Sequence, residues 1–232
     1  MLDWELQQFD HATEDVFGYR AVQAGLPGID FLRGNRIPFR FTLGLEHGAV
    51  LAADPMQLPL ASQSVDLVVL PHALESAADP HLVLREAERV LIPEGQLVIS
   101  GFNPLSLWRL RQMFTREEAG APWDEQYIGL LRLKDWLKLL GFELNGGRFG
   151  CYAPPVANAQ WRRRFAFMES AGARWWPILG GVYVVRAVKR VHGMRVLTPD
   201  WRKERARRRA LAAIPQRNGH ATRHLHQRNG DD

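Results

Sequence analysis

A single cysteine, Cys151, stands in 232 residues, so neither an internal disulfide nor a thiolate metal cage can form, and no metal site is expected. That composition fits a reducing compartment, and a cytoplasmic location is expected. Long apolar runs are also missing: Val65–Pro71 is among the longest and falls far short of the ~20 residues that cross a bilayer as a helix. The start, Met1-Leu2-Asp3-Trp4-Glu5-Leu6-Gln7-Gln8, lacks the basic-then-apolar profile of an export signal. No membrane span is expected. There is no internal repeat, which removes solenoids, and no tight G-x-G-x-x-G turn to support a dinucleotide.

Charge of one sign is scarce in the body and concentrated at the end. The formal net charge is +5, yet residues 186–232 hold 13 lysines and arginines against 4 acids, leaving −4 over residues 1–185. Only the C-terminal segment therefore supports a charge-based reading, as weak, salt-sensitive attachment to RNA or anionic surfaces. Residues 191–232 read as a basic, largely disordered tail, with a frayed helix in the arginine-rich stretch from Asp200.

What is present is an alternation of strands and helices. Residues 3–17 space apolar groups as an amphipathic helix stopped by Gly18. Arg20–Ala24, Phe39–Leu43 and Ala49–Ala53 read as strands, with a turn near Ile29–Leu32. Val65–Leu70 reads as a buried strand, and Asp79-Pro80 opens a helix reaching Leu91, with Asp79 as N-cap and Pro80 at the first helical position. Pro93-Glu94-Gly95 stops that helix before a strand over 96–102. Strand, helix and strand in so short a stretch make a βαβ unit with parallel strands. Helices follow at 105–113 and 132–140, then two late strands at 142–149 and 182–188. Gly146-Gly147 marks a bulge or turn in the first. Residues 151–181, with Trp161, Arg162–Arg164, Trp175 and Trp176, form an insertion between those strands.

The residues of the central stretch carry more than topology. Asp54 at a strand end is followed by Leu58-Pro59-Leu60, Ser64-Val65-Asp66, His72, Asp79-Pro80, Leu84-Arg85-Glu86, Arg89-Val90-Leu91 and Pro93-Glu94-Gly95. In that order they resemble the class I S-adenosylmethionine-dependent methyltransferases, in the type 11 subgroup, with a degenerate glycine-rich motif. The resemblance covers about residues 20–149 and is strongest in its middle third. It implies an α/β, Rossmann-like methyltransferase fold over residues 1–190, mostly parallel, with helices on both faces and a late antiparallel strand. It also implies S-adenosyl-L-methionine as cofactor and methyl transfer to an unidentified acceptor, more readily a small molecule than a polymer.

An open parallel sheet binds ligands at the carboxyl ends of its strands. By resemblance, Asp54 accepts from the adenine amino group, with Pro55, Met56 and Leu58 lining the adenine slot. Gly25 and Gly28 would approach the methionine part, although Pro27 occupies a usual glycine position. Glu46 is the candidate for the ribose, yet it lies three residues before Ala49, with no room for the crossover of a dozen or more residues that parallel neighbours need. Either the helix between those strands has been lost, or the second strand is not the family's.

The same resemblance implies that Pro71 and His72 would face the cofactor, and Leu74 and Asn103 the acceptor. His72 is the candidate catalytic group, orienting or deprotonating an acceptor, or else a histidine packing its loop. Arg85, Glu86, Glu88 and Arg89 read as a solvated helix face with ion pairs. The rival function is a catalytically degenerate methyltransferase fold serving as an RNA-associated binding or regulatory module through its arginine-rich end.

Overall fold

The computed structural model describes residues 1–106, 127–153, 172 and 174–190. The chain divides into two units, Met1–Val191 and His192–Asp232, and all described residues belong to the first. The helix expected at 105–113, most of the 151–181 insertion and the basic tail lie outside the described residues.

Seven strands form one sheet: β1 (Arg20–Ala24), β2 (Phe39–Gly44), β3 (Leu51–Ala52), β4 (Val65–Pro71), β5 (Leu91–Phe102), β6 (Phe142–Gly150) and β7 (Val182–Lys189). Their order is β3-β2-β1-β4-β5-β7-β6. The first five are parallel, while β7 runs antiparallel to both β5 and β6. The mostly parallel sheet with a late antiparallel strand is therefore as the sequence implies.

Helices pack on both faces. On one, α1 (Leu2–Thr13) lays Leu6 and Phe9 with Phe31 and Leu32 over Leu67, Val69, Val98 and Val184; Phe9 and Phe31 meet edge-on at 4.8 Å. On the other, α3 (Pro80–Val90) and α4 (Leu130–Leu139) bury Leu84, Ala87, Val90, Leu133 and Leu137 against Val68, Leu70, Leu97 and Ile99. Alternate residues of β4 and β5 feed the two cores, as the two-residue period of a strand requires. Burying each such side chain contributes ~1.5–3 kcal/mol.

Asp79 caps α3 by accepting from the His81 N–H at 2.9 Å, with Pro80 in the first turn. Three sequence expectations shift. First, α1 ends at Thr13 rather than 17, and the chain turns with the Val16 N–H donating to Thr13. Asp66 then accepts from the Tyr19 and Arg20 N–H groups, both at 2.9 Å, and aims the chain into β1.

Second, β5 begins at Leu91, not Gln96. Val65 pairs with Leu91 and Leu67 with Gln96, so Pro93-Glu94-Gly95 sits in a bulged strand with Glu94 at φ 64°. Third, β2 and β3 are parallel neighbours although only residues 45–50 join them. A pairing of two residues on each strand makes this possible: β3 is so short that a loop replaces the crossover helix. The expected bulge in β6 is present, between Leu144 and Gly146.

Candidate functional site

Because β1 to β5 run parallel, the chain leaves each of them at one edge of the sheet, and that edge gathers the residues singled out from sequence. After β1, Gly25 adopts φ +103° and Leu26 φ +41°. A Cβ at Gly25 would lie 2.8 Å from the Pro71 carbonyl oxygen and 3.0 Å from the Ala73 Cβ. Glycine is required there on both counts. Gly28 differs: it is exposed, and a Cβ would meet nothing within 4 Å. Pro27 is buried against the end of β2, where a Cβ at Gly44 would lie 3.3 Å from its ring.

The loop is held by Gln23, fully buried in β1. Its amide nitrogen faces the carbonyls of Gly25, Leu26 and Ile29 at 3.1, 3.1 and 2.7 Å, and its oxygen accepts from the Phe31 N–H at 2.9 Å. Sequence reasoning passed over Gln23. A glutamine inside an apolar strand is the signal that marks it, since a buried amide must find partners.

Beyond β3, Asp54 accepts from the Met56 N–H through Oδ1 at 2.8 Å, and its backbone carbonyl accepts from Gln57. Its Oδ2 carries no hydrogen bond to a described residue, leaving one half-buried acceptor at the strand end. Pro55 and Met56 are half-buried, and Leu58 is in the core.

The wall that follows is clamped from α3. Glu86 accepts from the Leu58 N–H at 2.8 Å, while Arg89 donates to the Leu58 and Leu60 carbonyls at 2.9 and 2.8 Å and pairs with Glu86. Arg89 holds the Glu86 carboxyl below the usual carboxylate range. Two members of the expected solvated face therefore work on the loop instead, and Glu88 pairs with buried Lys189 at 2.9 Å. Glu46 is exposed, two residues past the end of β2.

After β4, His72 sits in a left-handed conformation, φ 50°, ahead of the short helix α2 (Ala73–Ser76). Its Nδ1 lies 2.6 Å from Glu75 and its Nε2 3.0 Å from Glu5 of α1. All three groups are buried. Burial opposes a charge on His72, but hydrogen bonds to Glu5 and Glu75 and their charges outweigh it and raise the imidazole to about 10. Near neutrality His72 is thus an imidazolium between two carboxylates, with both ring nitrogens engaged.

Glu75 also accepts from the Phe102 N–H. Burial, with a further contribution from Glu75, pushes the Tyr183 phenol well above its usual range, and its hydroxyl donates to the Ile128 carbonyl at 2.9 Å. Sequence reasoning found His72 and missed its carboxylate partners, of which Glu5 lies 67 positions away.

Of the residues expected on the acceptor side, Leu74 belongs to α2 and is buried in the core. Asn103 is buried as well, donating to the Ile178 and Gly180 carbonyls at 2.6 and 2.9 Å and accepting from the Leu105 N–H at 3.1 Å. A separate cleft of about 320 Å³, lined by His11, Arg148 and Arg186 among others, lies between α1 and the β6–β7 face, set back from this edge. Among the described residues no cluster could hold a metal ion, and no helix is long and apolar enough to cross a membrane.

The geometry has parallels among known proteins. A family model described as a methyltransferase domain matches residues 39–99. Over 98 residues the chain is 49% identical to the uncharacterized protein YafS of Escherichia coli, covering 42% of this chain and 41% of that protein. Over 94 residues it is 39% identical to a malonyl-[acyl-carrier protein] O-methyltransferase of Laribacter hongkongensis, covering 40% and 31%. The chain thus spans less than half the length of the curated relatives it matches. In three dimensions it resembles a chain from the complex between the Haloferax volcanii Trm112 methyltransferase activator and a protein titled a putative methyltransferase, at TM-score 0.60 and 18% identity over 83% of this chain and 92% of that one.

Proposed function

We propose, from the premise that the chain belongs to the class I S-adenosylmethionine-dependent methyltransferases by fold and by family match, that it transfers a methyl group from S-adenosyl-L-methionine to an acceptor held at the carboxyl edge of the sheet. The observation that carries this reading is Asp54. It stands just beyond β3 with Oδ1 spent on its own turn and Oδ2 without a hydrogen bond among the described residues, an acceptor suited to an exocyclic amine. Gly25 supplies the second half of the fit, since its missing Cβ lets the chain after β1 approach the Pro71–Ala73 loop.

In this reading Asp54 fixes the adenine, and Pro55, Met56 and Leu58 form its slot, made rigid by Glu86 and Arg89. Gly25, Gly28 and Pro71 border the methionine part. Glu46, exposed and beyond β2, reaches the ribose only from the rim. When bound, the cofactor supplies an electrophilic methyl carbon on a sulfonium, which an acceptor lone pair displaces in one step. Alignment supplies much of the rate in such a displacement. His72, already protonated near neutrality, is then not the base but a positioning residue that ties α1 to the loop after β4. Leu74 and Asn103 support the acceptor wall.

Isothermal titration with S-adenosylmethionine tests the proposal. Binding is expected, and Asp54→Ala is expected to weaken it by roughly 10–100-fold, the worth of a hydrogen bond to a charged acceptor. No heat of binding to folded protein would leave the degenerate-module reading in its place. The RNA side of that rival rests on the arginine-rich tail, which lies outside the described residues.

A further inference from the structure

The cleft between α1 and the β6–β7 face shares no residue with the strand-end site, and its positive charge is unpaired. Arg148 of β6 and Arg186 of β7 line it. In the antiparallel pairing Arg148 stands opposite Val184 and Arg186 opposite Gly146, so the two arginines are diagonal neighbours on one face of the sheet, at a spacing of roughly 7–8 Å. Val184 belongs to the core under α1, which turns that face towards the helix. Gly146 brings no side chain, and a Cβ there would meet nothing within 4 Å, leaving open space beside Arg186.

Both guanidinium groups are oriented by neutral acceptors. Arg148 donates to His11 Nε2 at 3.2 Å and to Gln8 Oε1 at 3.5 Å, both on α1; because a guanidinium only donates, the imidazole nitrogen is the acceptor. Arg186 donates from Nε to Gln96 Oε1, which leaves its two terminal nitrogens without a hydrogen bond among the described residues. Neither arginine has a carboxylate partner among the described residues, whereas Arg33, Arg89 and Arg190 each pair with one. Asp15, the one carboxylate among the described residues of the lining, is exposed and pairs with neither. Arg186 is half-buried, and a cation drawn partly out of water without a counter-charge is costly unless an anion joins it.

The geometry selects the anion. Two guanidinium forks on one face can share a group with several oxygens, as arginines do with phosphate. A phosphate monoester carries about −1.5 to −2 charge near neutrality, which matches two such cations. The cleft encloses about 320 Å³, with Ala12 and Val184 as apolar lining, room for a small organic stem beyond the phosphate. We propose that this cleft binds a small phosphate monoester, its phosphate held between Arg148 and Arg186. The site is separate from the edge assigned to methyl transfer and does not depend on that reading.

The full-length protein is titrated calorimetrically with glycerol 3-phosphate and with malonate at constant ionic strength. Saturable binding of glycerol 3-phosphate is expected, with malonate weaker. Gln8→Glu sets a carboxylate against Arg148 while keeping the side chain's shape, and is expected to weaken binding roughly 10-fold by competing for the guanidinium. Gln7→Glu makes the same charge change at the exposed neighbouring position and should leave binding unchanged. Arg186→Gln should weaken it roughly 10–100-fold, the worth of hydrogen bonds to a charged group. Thermal melting without ligand checks that each variant folds. Absence of saturable binding would overturn the proposal. So would equal losses in Gln8→Glu and Gln7→Glu, or none in either, which would place the phosphate on basic residues elsewhere, and so would a preference for malonate, which would make the ligand a dicarboxylate. Titration of the same variants with S-adenosylmethionine is expected to match the wild type, so failure of the methyl-transfer reading shows separately.

Discussion

The two halves of the sheet's carboxyl edge are built by different physics. From β1 to β3 there is no helix between strands; turns and loops are held by neutral or surface hydrogen bonds from Gln23, and by Glu86 and Arg89 reaching across from α3. From β4 to β7 the edge rests on a capped helix, a packed core and a buried trio of charged side chains, Glu5, His72 and Glu75. Under the proposed function the first of these is the donor half and the second the acceptor half, and the difference predicts that the donor half can be altered with modest cost to the fold and large cost to binding, while the acceptor half couples the two.

Breaking the acceptor half gives the largest effect. His72→Leu leaves Glu5 and Glu75 buried without their cation, and removing one partner of a buried pair costs ~3–5 kcal/mol. Urea denaturation should show that loss, and a result within error of wild type would deny the trio its role. The pH dependence follows in sign. The folded imidazole titrates at about 10, above the unfolded value of ~6.5, so its contribution is complete below about pH 6.5 and is lost as pH rises towards about 10. Stability of the wild type should therefore decline across that window, and the His72→Leu variant should show a flatter profile.

Next comes the point where the two halves touch. Gly25 lies against the Pro71 carbonyl and Ala73, so Gly25→Val adds both a clash and a left-handed β-branched residue. A destabilisation of ~1–3 kcal/mol is expected, accompanied by loss of cofactor binding. A variant that melts as wild type and binds S-adenosylmethionine unchanged would show that the approach of the two loops does not matter.

How much of this contrast was legible depended on distance along the chain. The βαβ unit from Val65 to Phe102 announced itself because each signal is local: an apolar strand, an Asp-Pro cap, an amphipathic period. The start of β5 did not, since Pro93-Glu94-Gly95 reads as a stop and becomes a bulge only because Val65 offers Leu91 a partner. The β2–β3 pairing escaped because two residues leave no periodicity to detect. Of the candidate site, the places of Asp54, Gly25 and His72 after strand ends were readable from their neighbours, whereas Glu5 reaches His72 only through the docking of α1, and the clamps from Gln23 and Glu86 depend on how loops close.

The donor half is then tested through its internal clamp. Gln23→Leu keeps the volume and removes the amide that satisfies the Phe31 N–H and the carbonyls of the Gly25 loop. Leaving such buried groups unpaired costs ~1–3 kcal/mol. The comparison sharpens if cofactor affinity falls in this variant while the pH profile set by His72 is unchanged. Loss of both together would mean that the halves are not independent.

The smallest effect is expected at Glu86. Its carboxylate receives the Leu58 N–H and pairs with Arg89 on a partly exposed helix face, where an ion pair contributes only about 0–1 kcal/mol. Glu86→Ala should lower the melting temperature slightly. Yet Leu58 follows Asp54 by four residues, so a loosened wall would shift the carboxylate proposed to meet the adenine. Titration calorimetry should show affinity for S-adenosylmethionine falling several-fold, more than the stability change accounts for. If affinity and stability fall in proportion, the clamp serves the fold alone, and the claim that surface hydrogen bonds in the donor half are spent on binding loses its best case.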